Sequence, residues 1–283
     1  MKVKELIEYG KKLLNENKIE DNNIKSRILA QFILNMNRQE IVVNSEKEIT
    51  EEQKHRYYLA LIEVIQGMPV QYITNKQEFM KMEFYVDENV LIPQPDTENL
   101  VEETIKITKT MEEKIDVLDI CTGSGCIGTS IAKNIENLNS ITMSDISNKA
   151  IKIAEKNFKN NVENVRNAEF IESDMFEKIN KKYDIIISNP PYIETQEIEE
   201  LPEEVKQEPH LALDGGKEGI DYYKILTNEA HKYLKEKGYL CMEIGYNQKE
   251  SVEELLKESE KYTNIKTIKD LSGNDRVVIC SKK

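Results

Sequence analysis

Residues 115–128 read IDVLDICTGSGCIG, an apolar run followed by a turn that contains three glycines. The run Ile115–Ile120 has the length and the branched side chains of a buried β-strand. Ile127, Ile131 and Ile135 then recur at helical spacing, so a helix is predicted to begin where the turn ends. Glycines let the backbone approach a ligand closely, and a helix N-terminus offers free N–H groups. The stretch therefore predicts a strand–loop–helix unit that binds a ligand at its loop.

Strand and helix patterns keep alternating along the rest of the chain. Seven apolar runs read as strands, at Ile115–Ile120, Ile141–Asp145, Glu169–Glu172, Asp184–Ser188, Tyr239–Glu243, Ile265–Ile268 and Arg276–Cys280. The helix that carries Tyr223 and Leu234 is predicted to end at Gly238. Such alternation favours a mostly parallel sheet with helices on both faces, and the short loop 272–274 predicts an antiparallel hairpin at one edge. The expected fold class is α/β, with a Rossmann-like, seven-stranded sheet.

Residues 1–75 show helical spacing and read as a small all-α domain. Two apolar faces support this interpretation, one formed by Ile24, Ile28, Leu29, Phe32 and Ile33 and the other by Tyr58, Leu61, Ile62 and Ile65. Thr50 and Gln53 resemble a capping box at the start of the second helix. Residues 76–96 change to short alternating stretches, which predict a β-hairpin connector, and the α/β domain then occupies residues 97–283.

Composition narrows the class of protein. The chain has 283 residues, 39% of them hydrophobic, and a formal net charge of −13, which weighs against binding nucleic acid mainly through its phosphates. No apolar stretch is long enough for a membrane span and no signal peptide is evident, so a cytoplasmic protein is expected. The four cysteines form no Cys-x-x-Cys pair and the three histidines are scattered, so the sequence predicts free thiols and no metal site.

Two carboxylates indicate which ligand the glycine-rich loop binds. Asp145 ends the next strand, where a carboxylate can accept hydrogen bonds from both hydroxyls of a ribose. The spacing Gly123-x-Gly125-x-x-Gly128 also matches the dinucleotide fingerprint, so a NAD-dependent oxidoreductase is an alternative. Asp119 favours a different ligand, because a carboxylate at the strand end repels phosphate but suits an ammonium group, directly or through water. S-adenosylmethionine carries such a group and no phosphate.

Residues 188–192 read SNPPY, at the end of another buried strand. Each proline lacks an N–H and holds φ near −65°, and Asn189 is pushed into the extended region because a proline follows it. The strand cannot continue, and a stiff corner presents the Asn189 amide and two carbonyls at the carboxyl end of the sheet, where α/β folds bind ligands. An isolated double proline more simply ends a strand. The glycine-rich loop and its two carboxylates favour a functional corner.

These motifs together resemble the class I S-adenosylmethionine-dependent methyltransferases that methylate planar nitrogens. Further segments are similar to the protein-(glutamine-N5) methyltransferases that act on peptide-chain release factors, at residues 67–72 (GMPVQY), 91–98 (LIPQPDTE), 208–216 (EPHLALDGG), 243–245 (EIG) and 270–278 (DLSGNDRVV). The resemblance covers essentially the whole chain, including the helical N-terminal part.

The resemblance implies a class I methyltransferase fold and a set of cofactor-binding residues. These are Asp119, Cys121, Thr122, Gly123, Ser124, Gly125, Asp145, Asp174, Met175 and Asn189. Thr122–Gly125 would hold the methionine part of S-adenosylmethionine, Asp145 its ribose, and Asp174 and Met175 its adenine region, although Met175 and Phe176 are equally typical of core residues. The chain departs from the family pattern at Gln94 and Asp96, where relatives usually have Arg and Glu, and at Cys121, where glycine is common. A cysteine is tolerable there if the position needs only a small side chain.

The same resemblance implies that the glutamine of the release factors' Gly-Gly-Gln motif is methylated by a monomeric enzyme. The hypothesis is that Asn189 and Pro190 are catalytic: the Asn189 side-chain oxygen accepts one N–H of the glutamine amide and the Pro190 carbonyl accepts the other. Asn189, Pro190, Pro191 and Tyr192 would bind the substrate, with the Tyr192 ring packed against its side chain. Residues 1–75 would recognise the release factor, and neither membrane association nor stable nucleic-acid binding is expected.

Other acceptors remain open on chemical grounds. The exocyclic amine of adenine or guanine could be held by the same two acceptors, which keeps methylation of DNA or RNA as an alternative. The acidic charge and the lack of a Lys/Arg-rich segment disfavour it. A glutamine of a ribosomal protein is a further alternative.

Overall fold

The computed structural model describes residues 1–163 and 167–283 and divides into two compact units. The helical unit comprises Met1–Asn75 together with Pro202–Gln207, and the sheet unit comprises Lys76–Leu201 and Glu208–Lys283. Among the described residues, no helix is both long and apolar enough to span a membrane.

The helical unit contains six helices in its described residues. They are α1 (Val3–Glu16), α2 (Asn22–Leu34), α3 (Arg38–Val43), α4 (Glu51–Ile65), α5 (Val70–Thr74) and the short α9 (Glu203–Lys206). The predicted capping box starts α4: the Thr50 hydroxyl accepts from the Gln53 N–H at 3.1 Å, and the Gln53 side chain accepts from the Thr50 N–H at 2.9 Å. An ion pair of 2.6 Å joins Lys25 on α2 to Glu204 on α9.

The predicted apolar faces of α2 and α4 are partly wrong. Ile24 is 57% exposed, Phe32 39% and Ile62 47%. The buried positions are instead Ser26, Leu29, Ala30, Ile33 and Leu34 on α2, and Tyr57, Ala60, Leu61 and Val64 on α4.

Small and polar residues explain the rotated faces. The Ser26 hydroxyl donates to the Ile7 carbonyl at 3.2 Å, and the Tyr57 hydroxyl donates to the Ser26 carbonyl at 3.0 Å. A Cβ at Gly10 would lie only 2.1 Å from the Tyr57 oxygen, so α1 and α4 approach closely at this glycine. A pattern built on large apolar residues misses such a contact.

A β-hairpin opens the sheet unit in the segment where the sequence predicts one. Strands β1 (Gln77–Phe79) and β2 (Met82–Phe84) pair antiparallel. Met80 and Lys81 form the turn with φ of 50° and 61°, as a two-residue hairpin turn requires. A 3₁₀ turn at Pro95–Thr97 then leads into α6 (Glu98–Thr108).

The main sheet has seven strands and confirms the predicted architecture. They are β3 (Ile115–Ile120), β4 (Leu138–Asp145), β5 (Ala168–Glu172), β6 (Tyr183–Ser188), β7 (Leu234–Glu243), β8 (Tyr262–Lys269) and β9 (Asp275–Lys282). Their order is β5-β4-β3-β6-β7-β9-β8. Strands β3 to β7 run parallel, and β9 pairs antiparallel with β7 and with β8.

Helices cover the two faces of this sheet. They are α6, α7 (Cys126–Asn134), α8 (Asn148–Asn161), α11 (Asp221–Tyr233) and α12 (Lys249–Glu258). A 3₁₀ turn at Ile198–Glu200 and the four-residue helix α10 (His210–Leu213) lie in the segment between β6 and α11. Side chains alternate across β3, so Val117 belongs to one buried cluster and Leu118 and Ile120 to another. Both faces are therefore covered, as continuous apolar strands predict.

The sheet order creates a switch point between β3 and β6. The chain passes from β3 to β4 and β5 on one side and returns to β6 on the other. Ile120 at the end of β3 pairs with Ser188 at the end of β6. The glycine-rich loop and the double-proline corner therefore leave the sheet side by side, at the place where α/β sheets bind ligands.

The boundary between α11 and β7 differs from the prediction. The helix ends at Tyr233, not at Gly238, and the strand begins at Leu234, which pairs with Tyr183. Lys235 is held in the sheet because its ammonium group bonds Asp116 and Asp184, at 2.7 Å each. Strand pairing and this double ion pair outweigh the helical pattern of the segment.

Candidate active site

A cavity lies at the carboxyl ends of the central strands, within the sheet unit. Seven of the predicted site residues line it: Cys121, Gly123, Asp145, Asp174, Met175, Asn189 and Pro191. The others do not line this cavity. Thr122 and Ser124 are buried in the glycine-rich loop, and Asp119 is buried beneath it.

The glycine-rich loop is shaped for close approach by a ligand. Gly123 and Gly125 adopt positive φ, 52° and 77°. A Cβ at Gly125 would lie 2.9 Å from the Ala154 Cα, so this glycine lets the loop pack on α8. A Cβ at Gly123 would meet nothing within 4 Å, which leaves open space beside the loop backbone.

Asp119 supports this loop and keeps one oxygen free. Its Oδ2 accepts hydrogen bonds from the Thr122 hydroxyl at 2.6 Å and from the Gly128 N–H at 2.9 Å. Its Oδ1 is buried and has no hydrogen-bond partner among the described residues. Burial raises the pKa of Asp119 to about 7. An unpartnered carboxylate oxygen at this place fits the ammonium group of S-adenosylmethionine.

Asp145 is held in a fixed orientation by backbone donors. Its Oδ2 accepts from the Gly123 N–H and its Oδ1 from the Ser147 N–H, both at 2.9 Å. Burial raises its pKa, and the hydrogen bond to Ser147 is the largest effect opposing that shift. Each oxygen retains a lone pair, and the residue lines the cavity, so the carboxylate is oriented in advance for two hydroxyl donors.

Cys121 and Met175 meet at the cavity wall, their sulfur atoms 3.9 Å apart. Both have positive φ, 59° and 41°. The glycine that the resemblance leads us to expect at position 121 would adopt this backbone conformation without strain, so small size alone does not explain the position. Met175 lines the cavity and is only 7% exposed, whereas Phe176 stacks on Tyr233 with ring centroids 4.7 Å apart and is a core residue.

The double-proline corner leaves two acceptors free. The Asn189 amide nitrogen donates to the Thr97 hydroxyl at 3.3 Å, so its oxygen faces away from Thr97. Neither this oxygen nor the Pro190 carbonyl accepts a hydrogen bond from the part of the chain that the structure describes. Asn189 lines the cavity and Pro190 is buried beside it in sequence.

Buried groups behind the corner hold it rigid. The Gln248 amide donates to the carbonyls of Tyr192, at 2.9 Å, and Gly219, at 3.0 Å. A Cβ at Gly215 would lie 2.7 Å from the Tyr192 Cα, so only glycine allows the loop to pack here. The Tyr192 hydroxyl donates to Glu243 Oε1 at 3.4 Å. The expected contact of the Tyr192 ring with substrate stays a prediction.

Sequence reasoning gave no role to several residues that hold the site. Thr97, Glu243 and Gln248 lie in or near segments that carry the family resemblance, yet their convergence depends on the order of the strands. Gln94 and Asp96, where the chain departs from the family pattern, also have bonding partners. The Gln94 amide donates to the Ile92 carbonyl at 3.0 Å, and Asp96 lies 3.2 Å from the Arg276 guanidinium.

Asn157 on α8 connects the glycine-rich loop to the segment that follows the β-hairpin. Its amide nitrogen donates to the carbonyls of Tyr85, at 2.9 Å, and Ser124, at 2.8 Å, while its oxygen accepts from the Tyr85 N–H at 2.8 Å. The side chain is fully buried. The bond to Ser124 is buried, and the two bonds to Tyr85 are partly buried.

We expect Asn157→Leu to destabilise the protein and to weaken cofactor binding. One buried and two partly buried backbone groups would lose their partner, at about 2–4 kcal/mol in the free energy of unfolding. Thermal denaturation and calorimetric titration with S-adenosylmethionine measure the two effects. The control is Asn161→Leu one turn later, which loses an exposed bond to the Glu83 carbonyl and a bond to the Asn157 carbonyl within the helix. Equal stability of the two variants would contradict the expected role of Asn157.

Two segments of the chain match known protein families. Residues 5–74 match the PrmC N-terminal domain, and residues 99–207 match the Methyltransferase small domain. The first match falls on the helical unit. Most of the second falls on the part of the sheet unit that carries the glycine-rich loop and the double-proline corner.

Relatives that match nearly the whole chain have a more specific name. The release factor glutamine methyltransferase of Fusobacterium nucleatum subsp. nucleatum is 39% identical over 281 residues, which cover 98% of this chain and 77% of that protein. The release factor glutamine methyltransferase of Clostridium acetobutylicum is 38% identical over 284 residues, which cover 99% of this chain and 98% of that protein.

Solved structures agree on the fold. The crystal structure of a methyltransferase from Pyrococcus furiosus superposes with a TM-score of 0.53 and 18% identity, over 75% of this chain and 93% of that one. At this level of identity the likeness concerns the fold alone.

Proposed function

The chain belongs to the release factor glutamine methyltransferase family, and from this premise we propose that it methylates the glutamine of the Gly-Gly-Gln motif in peptide-chain release factors. The methyl group would pass from the sulfonium of S-adenosylmethionine, which leaves as a neutral thioether, to the side-chain amide nitrogen, which gives up one N–H proton. The observation that carries the proposal is the pair of free acceptors at the corner, the Asn189 side-chain oxygen and the Pro190 carbonyl. A primary amide offers two N–H donors in one plane, which such a pair can accept.

The residues around the cavity fit the cofactor. Thr122–Gly125 would hold the methionine part, Asp119 Oδ1 the ammonium group, and Asp145 the ribose hydroxyls. Cys121, Asp174, Met175 and Asn189 would complete the site, with Asp174 and Met175 near the adenine. S-adenosylmethionine, when bound, supplies an electrophilic methyl group.

The corner's contribution is to position and polarise the substrate amide. An amide nitrogen is a poor nucleophile because its lone pair is delocalised into the carbonyl. Two acceptors at Asn189 and Pro190 would fix the nitrogen and draw electron density toward it through its N–H bonds. Positive charge that develops on nitrogen would be stabilised by the same oxygens, and orientation of this kind contributes up to about 7–11 kcal/mol. Pro191 and Tyr192 would line the substrate's path, and the rigid support of Gln248 keeps the corner from relaxing.

We assign release-factor recognition to the helical domain of residues 1–75, with the connector at 76–96 and the methyltransferase domain at 97–283. The helical unit exposes large apolar side chains on three helices: Ile24 and Phe32 on α2, Val42 and Val43 on α3, and Leu59 and Ile62 on α4. A contiguous patch of exposed apolar side chains is typical of a protein-binding surface, and we propose that these six form one. The enzyme would act as a monomer in the cytoplasm.

Substitutions on this surface are expected to weaken substrate binding without affecting chemistry. Val43, which is 82% exposed, and Phe32 are the sites for Val43→Ser and Phe32→Ser. Together they should raise KM for the intact release factor by about 10-fold, as loss of one or two interface side chains does. The measurement is initial rate against release-factor concentration. A control, Leu271→Ser, removes a fully exposed leucine of the sheet unit. Unchanged KM in the double variant would contradict the assignment of this surface.

The decisive experiment is transfer of labelled methyl groups to a set of acceptors. The protein is incubated with labelled S-adenosylmethionine and, separately, with release factor, ribosomal protein, DNA and rRNA. Label on the release factor, lost when the glutamine of its Gly-Gly-Gln motif is replaced by glutamate, is the expected result. Label on ribosomal protein or nucleic acid alone would overturn the proposed substrate.

A further inference from the structure

Glu243 is a buried carboxylate that the mechanism above does not use. It ends β7, and its neighbour Met242 pairs with Ser188, so Glu243 lies beside Asn189 across the strand pair. The residue is 2% exposed. Its Oε2 lacks a hydrogen bond of good geometry among the described residues, and Oε1 accepts from the Tyr192 hydroxyl. A buried acid with so few partners is costly to keep, so its place needs an explanation.

Thr97 stands between this acid and the corner. Its hydroxyl accepts the Asn189 amide N–H at 3.3 Å and is close enough to the Glu243 carboxyl to lower its pKa, while Glu243 Oε2 has no hydrogen-bond partner among the described residues. Thr97 is 2% exposed, so no bulk water competes at this hydroxyl. Asn189 and Thr97 are hydrogen-bonded, and the three residues form a chain of polar groups leading away from the cavity when the Thr97 hydroxyl turns its proton to the unpartnered Glu243 Oε2.

The number of protons on each group sets the direction of every hydrogen bond in this chain of polar groups. An ionised carboxylate only accepts, and a hydroxyl has a single proton to donate. When Thr97 donates to Glu243, it can only accept from Asn189. The NH₂ group of Asn189 must then face Thr97, and its oxygen must face the cavity.

We propose that Glu243 is a positioning residue: acting through Thr97, it fixes the side-chain amide of Asn189 so that the oxygen is presented to the substrate. The proposal rests on the proposed function, because it assumes that this oxygen accepts the substrate amide. A protonated or amidated Glu243 can donate to Thr97. Thr97 is then free to donate to the Asn189 oxygen, and the amide turns its NH₂ group toward an incoming NH₂ group.

Several titratable groups lie close to Glu243, and of these Asp96, Tyr192 and Arg276 act on its pKa. The groups are Asp96 beside the 3₁₀ turn's Thr97, Cys126 on α7, Tyr192 in the corner, Tyr223 on α11 and Arg276 on β9. Burial raises the pKa of Glu243 to about 7, while the Thr97 hydroxyl and then the Arg276 charge oppose the rise. Arg276 is itself shared with Asp96 and Asp270, both at 3.2 Å. The ionised form, and with it the productive amide orientation, therefore grows as pH rises through this range.

The test uses Glu243→Gln, Thr97→Val, Thr97→Ser and the double variant Glu243→Gln/Thr97→Val. Misorientation of the amide should lower kcat by about 10- to 100-fold in Glu243→Gln and in Thr97→Val. The double variant should lose no more than either single variant, because both break the same chain. Thr97→Ser keeps the hydroxyl, so its kcat should stay near the wild-type value. In all four, KM for S-adenosylmethionine should stay within about twofold.

A pH profile distinguishes positioning from mere stability. Wild-type kcat should rise with pH as Glu243 ionises, and this rise should be absent from Glu243→Gln. The control Tyr183→Phe removes a buried bond of 3.1 Å to the Thr142 hydroxyl, outside the chain of polar groups, and should leave kcat and its pH profile unchanged. Circular dichroism melting checks the folding of each variant.

The outcomes separate the two proposals. If the wild-type protein labels no release factor, the proposed function fails, whatever the variants do. If wild-type activity depends on Asn189 but Glu243→Gln and Thr97→Val retain full kcat, the positioning role of Glu243 is overturned and the proposed function stands. Loss of activity in Thr97→Ser equal to that in Thr97→Val would also overturn it, since the hydroxyl would then be irrelevant.

Discussion

Asn189→Ala is expected to lower kcat for methyl transfer by about 100- to 1,000-fold, the loss typical of removing one preorganised polar group from an active site. The variant removes the side-chain oxygen that we propose accepts the substrate N–H. It also releases Thr97 from its bond of 3.3 Å. The Pro190 carbonyl remains, but one acceptor fixes neither the plane nor the direction of an amide.

Binding measurements decide how this loss is interpreted. S-adenosylmethionine titration by calorimetry should give an affinity within a few-fold of wild type, because Asn189 is only one of the residues assigned to the cofactor and the glycine-rich loop and Asp145 are untouched. The matched control is Asn134→Ala, which removes an asparagine amide that donates to the Ser130 carbonyl at 2.8 Å near the end of α7. Near-normal turnover of Asn189→Ala on the proper substrate would exclude the corner as the catalytic site.

The sheet was predictable because strand patterns are local. Apolar runs separated by helical spacing located all seven strands of the main sheet, and the short loop 272–274 predicted the antiparallel pair β8 and β9. The faces of α2 and α4 were not predictable in the same way. Ser26, Ala30 and Gly10 allow helices to approach because they are small, and that property depends on which helix is opposite.

The site residues likewise divide into those that a local sequence pattern predicts and those that depend on the order of the strands. The glycine-rich loop, Asp145 and the double-proline corner each follow a parallel strand, and parallel strands end at one edge, so sequence could bring them together. Thr97 and Glu243 come from segments far apart in the chain. They meet Asn189 because β7 lies next to β6 and because the 3₁₀ turn at Pro95–Thr97 reaches the corner. The departure at Asp96 became interpretable only through its partner Arg276.

Asp119→Asn is expected to weaken S-adenosylmethionine binding by about 30-fold or more, the loss typical of removing one partner from a buried charge pair. The amide keeps the size of the carboxyl group and can still accept from Thr122 and Gly128. It lacks the charge that the free Oδ1 offers to an ammonium group. Calorimetric titration at pH 8 measures the change, and kcat at saturating cofactor should be little affected.

The pH dependence of binding provides the sharper measurement. With its pKa raised to about 7, Asp119 is mostly neutral at pH 6 and mostly ionised at pH 8. Wild-type affinity should therefore increase about 10-fold between these values, in proportion to the ionised fraction. Asp119→Asn should bind equally weakly at both. A variant with wild-type affinity, or one with the wild-type pH dependence, would exclude Asp119 as the partner of the ammonium group.

Stability without cofactor should change with pH in the opposite direction. The pKa of Asp119 is raised above its unfolded value of 3.8, so the folded protein holds a proton that the unfolded chain releases. The stabilisation that this proton provides is therefore fully present below the unfolded pKa and is lost as pH rises through the folded pKa. Glu243 adds a slope of the same sign. The melting temperature of Asp119→Asn should therefore fall less between pH 5 and 8 than that of the wild type. If the pH dependence of binding and that of melting are both observed, the ionised carboxylate that binds the cofactor also destabilises the empty protein. Bound S-adenosylmethionine should then restore the stability lost at high pH only in the wild type.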